Sequence, residues 1–261
     1  MDLLLYIAAG AGVGFLVGLT GVGGGSIMTP LLIMFGIPYT IAIGTDLLYA
    51  TVTKLSGVVL HQQRRNIRWR VVLTLAAGSI PSSILTTLLL KELFNESETN
   101  KLILTTSLGV MLIVTSAVMM FKKTIISYAK THQNPDEDVI HRHTPVFTFI
   151  CGVVLGVCVT LSSVGAGAFA AAVLMILYTQ FPTRHIVGTD LAHAVLLTFV
   201  AGLGHLAMGN VDFQLLTGLL IGSIPAVFLG TKLGHHLPER LMFNILAGLL
   251  FFLGLRFTFG F

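Results

Sequence analysis

Charge is scarce in this chain. Only 10% of its 261 residues are Asp, Glu, Lys or Arg, 54% are hydrophobic, and the mean hydropathy is +0.90. Soluble domains carry about a quarter of their residues as charges, so a soluble fold is excluded. Cysteine is scarce too. Cys151 and Cys158 share one apolar stretch seven residues apart, about 10 Å along a helix, which is too far for a disulfide; they read as two buried free thiols. No Gly-Lys-Ser/Thr phosphate loop is present, which argues against direct use of ATP, and there is no His-Glu-x-x-His. His141 and His143 lack partners at metal-ligand spacing, so neither a metal nor another cofactor is expected. Met1 to Gly14 has no basic leader and runs straight into apolar sequence, the pattern of a retained first helix.

What remains is long apolar stretches separated by short polar clusters. Each of the longer stretches suffices to cross a hydrocarbon layer about 30 Å thick, so the lipid bilayer is the expected surrounding. The 15 basic residues against 11 acidic ones then act as topology markers, and no nucleic-acid partner is expected.

The chain is an internal duplication. Gly44-Thr45-Asp46-Leu47 recurs as Gly188-Thr189-Asp190-Leu191, an offset of 144 residues. The same offset maps Pro38 on Pro182, His61 on His205, Asn66 on Asn210, and Gly78-Ser79-Ile80-Pro81 on Gly222-Ser223-Ile224-Pro225. Between 38–81 and 182–225, 13 of 44 positions are identical without a gap. Upstream the offset becomes 142, pairing Val22-Gly23-Gly24-Gly25 with Val164-Gly165-Ala166-Gly167. Shared apolar composition does not place prolines and polar residues in common register.

Each half divides into five helical segments: 3–21, 26–36, 41–60, 71–90 and 102–121, then 146–162, 168–180, 186–204, 214–232 and 241–259. The link 61–70 carries Arg64, Arg65, Arg68 and Arg70 without an acid, and Lys122, Lys123 and Lys130 open the polar linker 122–145. Both are expected in the cytoplasm. The link 91–101, with Glu92, Glu96 and Glu98, should face out. In the second half the pattern exchanges: 205–213 has no Lys or Arg, while 232–240 has Lys232 and Arg240. The expected fold is therefore an all-α polytopic membrane protein of two inverted repeats, 1–121 and 146–261, joined by the linker.

The second segment of each half is too short to span. Ser26 to Gly36 would reach only about 17 Å as a helix. Segments one and two are expected to form a broken or re-entrant helix with a Gly-rich break inside the membrane, where irregular backbone must be enclosed by protein or line a wet cavity. The breaks give the first candidate site. Backbone N–H groups of Gly23, Gly24, Gly25 and Ser26, and of Gly165 and Gly167, together with the positive ends of the following helices, suit a small anion near the midplane. Close helix packing through small residues is the competing explanation.

Polar residues within the apolar segments supply the rest. Asp46 and Asp190 each follow a threonine, Thr45 and Thr189, near the opening of a long helix, a position suited to capping. An ionisable residue beside a membrane segment is nevertheless expensive and points to function. His193 stands on the same side as Asp190 one turn on, where the first half has Tyr49. Lys54, opposite Thr198 in the repeat alignment, is the only Lys or Arg well inside an apolar segment. It suits an anion, a pairing with Asp46, or a stem rising to the interface. Thr45, Lys54 and Thr189 join the substrate-site candidates; Asp46, Asp190 and His193 are the proton-coupling candidates.

The motif Gly-x-Gly-Gly-Gly-x-x-x-x-Pro-Leu-Leu over Gly21 to Leu32, Ala42 to Leu47, His61 and the Gly-Ser-Ile-Pro element at 78–81 resemble the sulfite exporter TauE/SafE family of membrane permeases. The resemblance covers essentially the whole chain. It implies secondary transport, with export, of a small sulfur-containing anion such as sulfite, a sulfonate or sulfoacetate across a bacterial inner membrane. Ala166 and the absence of a proline matching Pro30 depart from the pattern in the second half. An anion channel shares the helix-terminus site, and an intramembrane aspartyl protease would use paired aspartates brought together to share a proton.

Overall fold

The structure is a computed structural model and describes residues 3–20, 25–93, 98–131, 138–165, 167–234 and 239–259. Among the described residues, ten α-helices follow one another: α1 (Leu3–Thr20), α2 (Gly25–Met34), α3 (Tyr39–Gln63), α4 (Trp69–Leu93), α5 (Glu98–Thr131), α6 (Asp138–Ser162), α7 (Ala168–Leu177), α8 (Thr183–Ala207), α9 (Phe213–Gly234) and α10 (Glu239–Phe259). Among the described residues, five stretches are both long and apolar enough to cross a membrane: Tyr39–Gln63, Trp69–Lys91, Thr144–Ser162, Thr183–Ala207 and Phe213–Gly230. The protein is an all-α, multi-pass membrane protein. Its surface agrees, since Leu73, Leu85, Phe228 and Phe252 are exposed while Thr29, Asp46, Lys54, Ser79, Thr160 and His193 are buried. Apolar side chains face lipid and polar ones face each other.

Helix ends differ from expectation in two places. Residues 122–131 continue α5 and residues 138–145 belong to α6, so both helices run into the linker. Nothing in those residues breaks a helix except Pro145, which α6 accommodates inside its length. Secondly, α3 and α8 start earlier than the apolar pattern suggests, after Pro38 and Pro182 with φ of −51° and −56°. Proline has its φ preset for helix entry and lacks the N–H that a helix start would leave orphaned.

The two repeats interlock through reciprocal contacts. A Cβ on Gly10 would lie 2.2 Å from the Leu219 carbonyl oxygen, and one on Gly152 would lie 2.3 Å from that of Leu75; both residue pairs are equivalent under the repeat. Gly14 against Ser223 repeats as Gly156 against Ser79, and Gly44 against His205 as Gly188 against His61. Such i-to-j and j-to-i pairing is the mark of a two-fold relation. Glycine is required here because α1 lies against α9, and α6 against α4, with backbone touching backbone.

Homologous helices meet across the centre. On α3 and α8, Gly44 packs on His205, the hydroxyls of Thr51 and Thr198 meet at 2.9 Å, and Gly57 packs on Leu191, so the two helices run antiparallel. The pair α5 and α10 does the same, from Gly109 beside Thr258 to Ser116 donating to the Ala247 carbonyl. One hydrophobic core joins α1, α2, α5, α9 and α10, and another joins α4, α6, α7 and α8, each with residues of α3. Both draw on both repeats, so a repeat is a unit of sequence but not an independently packed body.

Candidate functional site

Asp46 and Asp190 stand eight residues into α3 and α8, beyond the first turn. They are not helix caps, which corrects the capping expectation. Pro38 and Pro182 occupy the cap positions, and neither cap makes a side-chain hydrogen bond. Both carboxylates are buried instead, 0% exposed for Asp46 and 5% for Asp190.

Asp46 is held by hydroxyls. Thr29, on the short helix α2, donates to Asp46 Oδ2 at 2.5 Å. Ser163, in the break between α6 and α7, faces the same carboxylate. That second approach falls short of full hydrogen-bond geometry, and Asp46 Oδ1 and Ser163 Oγ are buried without partners. Asp190 lacks the equivalent clamp: the repeat puts Ala171 where Thr29 stands and Gly21 where Ser163 stands. Its Oδ1 is likewise buried and unpartnered.

Lys54 lies between the two aspartates, 5% exposed, and among the described residues it is the one buried Lys or Arg. It interacts electrostatically with Asp190 and, more weakly, with Asp46. The register explains the order. Asp46 is eight residues back on the same helix, about 12 Å along the axis, whereas Asp190, next to the Leu191 that meets Gly57, is roughly one turn ahead across the α3–α8 interface. Lys54 therefore turns inward to a carboxylate and does not rise to the membrane surface. The same register sets Asp46 and Asp190 roughly 20 Å apart along the helix axes. Two carboxylates at that separation cannot share a proton, which removes the protease arrangement.

His193 follows Asp190 by one turn and is fully buried, its Nε2 2.8 Å from the Ser79 hydroxyl and its Nδ1 without a partner. Farther along α8, His205 Nε2 donates to the Thr160 carbonyl at 3.0 Å, which leaves its Nδ1 as a buried acceptor with no partner. Sequence reading singled out His193; it placed Thr29 and Ser163 beside the Gly-rich motifs without naming them as site residues, and gave Ser79 and His205 no part in the site. The signal available for them was only that a hydroxyl or imidazole in an apolar segment needs a partner.

Thr45 and Thr189 are engaged between the repeats. Thr45 Oγ1 accepts from the Asp212 backbone N–H at 3.1 Å, and Thr189 Oγ1 accepts from that of Arg68 at 3.0 Å. Each hydroxyl satisfies the chain just before a helix of the other repeat, an orphan N–H that would otherwise be unpaired. They bind the two repeats together.

Of the two Gly-rich breaks, residues 21–24, including Gly23 and Gly24, lie outside the described residues, as does Ala166. Gly25 and Ser26 open α2. In the second repeat α6 ends at Ser162 and α7 begins at Ala168, with Ser163 at φ 57° and Gly165 at φ 107° between them. Positive φ at Gly165 makes glycine the natural residue there. The Gly167 N–H donates to the Gly165 carbonyl at 2.8 Å and is thereby engaged within the turn. The break delivers Ser163 to Asp46, and Val164 packs into the core beside Met28 and Tyr49.

A cavity lies at the turn from α7 to α8, lined by Met175, Thr179, Gln180, Phe181, Pro182, Thr183 and Ile186. Arg68 stands over the Phe181 ring at 5.2 Å, a cation–π contact. Thr183, Ile186, Asp190 and His193 follow one another at helical spacing on α8, so the cavity reaches within one turn of Asp190.

A polytopic helical bundle built from two interlocked repeats, with a buried cation between two buried carboxylates, defines a membrane transporter. The chain belongs to the sulfite exporter TauE/SafE family, whose model matches residues 6–257. It is 37% identical over 250 residues to the probable membrane transporter protein YjnA of Bacillus subtilis, covering 96% of this chain and 97% of that protein. It is also 35% identical to YunE of the same organism, over 92% and 90% of the two chains. A probable membrane transporter protein of Methanocaldococcus jannaschii, MJ0441, matches at 26% identity over 96% of this chain and 93% of that protein. No solved structure gives a significant match.

Proposed function

We propose that this chain exports a small sulfur-containing anion, of the sulfite, sulfonate or sulfoacetate kind, across a bacterial inner membrane by alternating access. The two repeats are inverted about an axis in the membrane plane, with the 61–70 link and the 122–145 linker in the cytoplasm. The antiparallel packing of α3 on α8 supports the inversion, since homologous spanning helices that run antiparallel enter the membrane from opposite sides. The exchange of basic residues between equivalent links supports the sidedness.

The anion binds near the midplane, between the Gly-rich breaks and beside Lys54. A single observation carries this reading: a lysine enclosed at 5% exposure at the crossing of the two repeats, where the second repeat has only Thr198. A buried cation in a bilayer marks a substrate or ion path. The family description names sulfite export, which supports a sulfur-containing anion as the substrate.

Reconstitution into proteoliposomes tests the reading. Sulfite, methanesulfonate, isethionate and sulfoacetate are compared with acetate, each with and without an imposed pH gradient. Saturable flux of a sulfur anion at transporter turnover is expected, and loss of that flux in Lys54→Met. Flux that grows linearly with concentration would identify a channel, and flux of none of the sulfur anions would overturn the substrate class.

A further inference from the structure

We propose that the substrate anion takes the place of the Asp190 carboxylate at Lys54, and that Asp190 accepts one proton as it lets go, so that one proton travels with each anion. This rests on the reading that the anion binds beside Lys54. It adds the competitor, the stoichiometry and the division of labour between the two aspartates.

The argument begins with charge. Lys54 and Asp190 are both buried inside protein that is itself inside a membrane, each acts electrostatically on the other, and lysinium plus carboxylate sum to zero. Adding a singly charged anion to Lys54 without another change would leave one uncompensated negative charge in that enclosure, a heavy desolvation penalty. One proton removes it: lysinium and carboxylate become lysinium, anion and carboxylic acid, and the sum stays zero. The proton comes from water on the open side and is released with the anion on the other.

The repeats show which aspartate changes state. Asp46 has Thr29 donating to it and Ser163 facing it, contacts that favour its ionised form. Asp190 has Ala171 and Gly21 at the equivalent positions, an unpartnered Oδ1, and Lys54 as its stronger electrostatic partner. The two repeats thus supply two aspartates, one with hydroxyl residues at these positions and one without, and the second is the exchangeable one. The cavity at the α7–α8 turn ends one helical turn short of it and offers water a route.

The other titratable and charged groups around Asp190 are few. From α3 come Lys54, the distant Asp46, and His61, which packs on Gly188. On α8 itself stand Arg184, His193 on Ser79, His185 near the Asn66 carbonyl, and His205 on Thr160. Arg68 before α4 lies over Phe181, and Tyr178 just after α7 stacks on that same ring. Among the described residues, α4 and α6 turn Ser79, Thr87 and Thr160 toward α8, none of them titratable.

The test uses the purified full-length protein in detergent and in proteoliposomes. Its first arm needs no anion. Lys54→Met should lower the melting temperature, and Asp190→Asn added to it should restore most of the loss, whereas Asp46→Asn should not. Equal rescue by Asp46→Asn would overturn the pairing. The second arm measures binding of the tighter of methanesulfonate and isethionate, both monoanions whose sulfonate charge does not titrate near neutrality. In the wild type, about one proton should be taken up per anion, and affinity should fall up to tenfold per pH unit as pH rises. Asp190→Asn, a near-isosteric change, should bind the anion more tightly, without proton uptake and without pH dependence; Asp46→Asn should keep the proton. Anion binding without proton uptake in the wild type, or proton uptake retained in Asp190→Asn, would overturn the displacement and leave the transport reading standing. Binding of no sulfur anion at all would remove both. In liposomes, flux of a monovalent sulfonate should be insensitive to an imposed membrane potential, and a potential-driven flux would also overturn the proposal.

Discussion

The hydroxyl of Thr29 donates to the carboxylate of Asp46 at 2.5 Å, tying the short helix α2 to the interior of α3. Both groups are fully buried, so neither can fall back on water. Thr29→Val should therefore cost about 1–3 kcal/mol of stability, the range for leaving a buried polar partner unsatisfied. Thr29→Ser should retain most of it. Thermal unfolding of the detergent-solubilised protein measures both, and an unchanged midpoint in Thr29→Val would show that the contact contributes nothing.

Two glycines on one helix should respond with opposite signs. Gly10→Ala puts a methyl group 2.2 Å from the Leu219 carbonyl oxygen, which only a shift of α1 away from α9 can relieve. A loss of about 1–3 kcal/mol or more is expected from such overpacking. Gly12→Ala meets nothing within 4 Å and should be neutral or stabilising by up to about 1 kcal/mol, because alanine is the better helix former. Yield and melting temperature of the two variants, purified side by side, decide the matter.

Sidedness can be read from equivalent positions in the two repeats. Gln63 closes α3 and Ala207 closes α8, and the offset of 144 maps one on the other. With Cys151 and Cys158 changed to Ser, Gln63→Cys and Ala207→Cys should react with a membrane-impermeant maleimide from opposite sides of the membrane. Labelling from the same side would refute inversion.

The Gly-rich breaks make a separate prediction. Gly165 holds φ 107°, and a Cβ there would approach the Met111 methyl at 2.9 Å. Gly165→Val should slow transport more than tenfold by straining the turn that carries Ser163 to Asp46, and Gly24→Val should act likewise in the first repeat. Flux is measured on variants first shown to elute as folded protein. Wild-type rate and affinity in both would remove the breaks from the mechanism.

Much of this protein was legible along the chain. Shortage of charge excluded a soluble fold, and the recurrence of Gly-Thr-Asp-Leu, of Gly-Ser-Ile-Pro and of the prolines before α3 and α8 revealed ten helices in two repeats, because apolar run length and punctuation are local properties. The same residues singled out Asp46, Lys54, Asp190 and His193, since an ionisable group in an apolar run is conspicuous wherever it points.

Tertiary structure decided what those groups meet. Whether Lys54 turns to Asp46, to Asp190 or to the membrane surface depends on the register of α3 against α8, and that register is set by glycines and threonines some 140 residues apart in sequence. Thr45 and Thr189 hold the opposite repeat's backbone, and Thr29 and Ser163, plain hydroxyl residues in the sequence, converge on a buried carboxylate. A side chain's polarity is written in its own identity; the partner that satisfies it comes from another helix, and only packing brings that helix near.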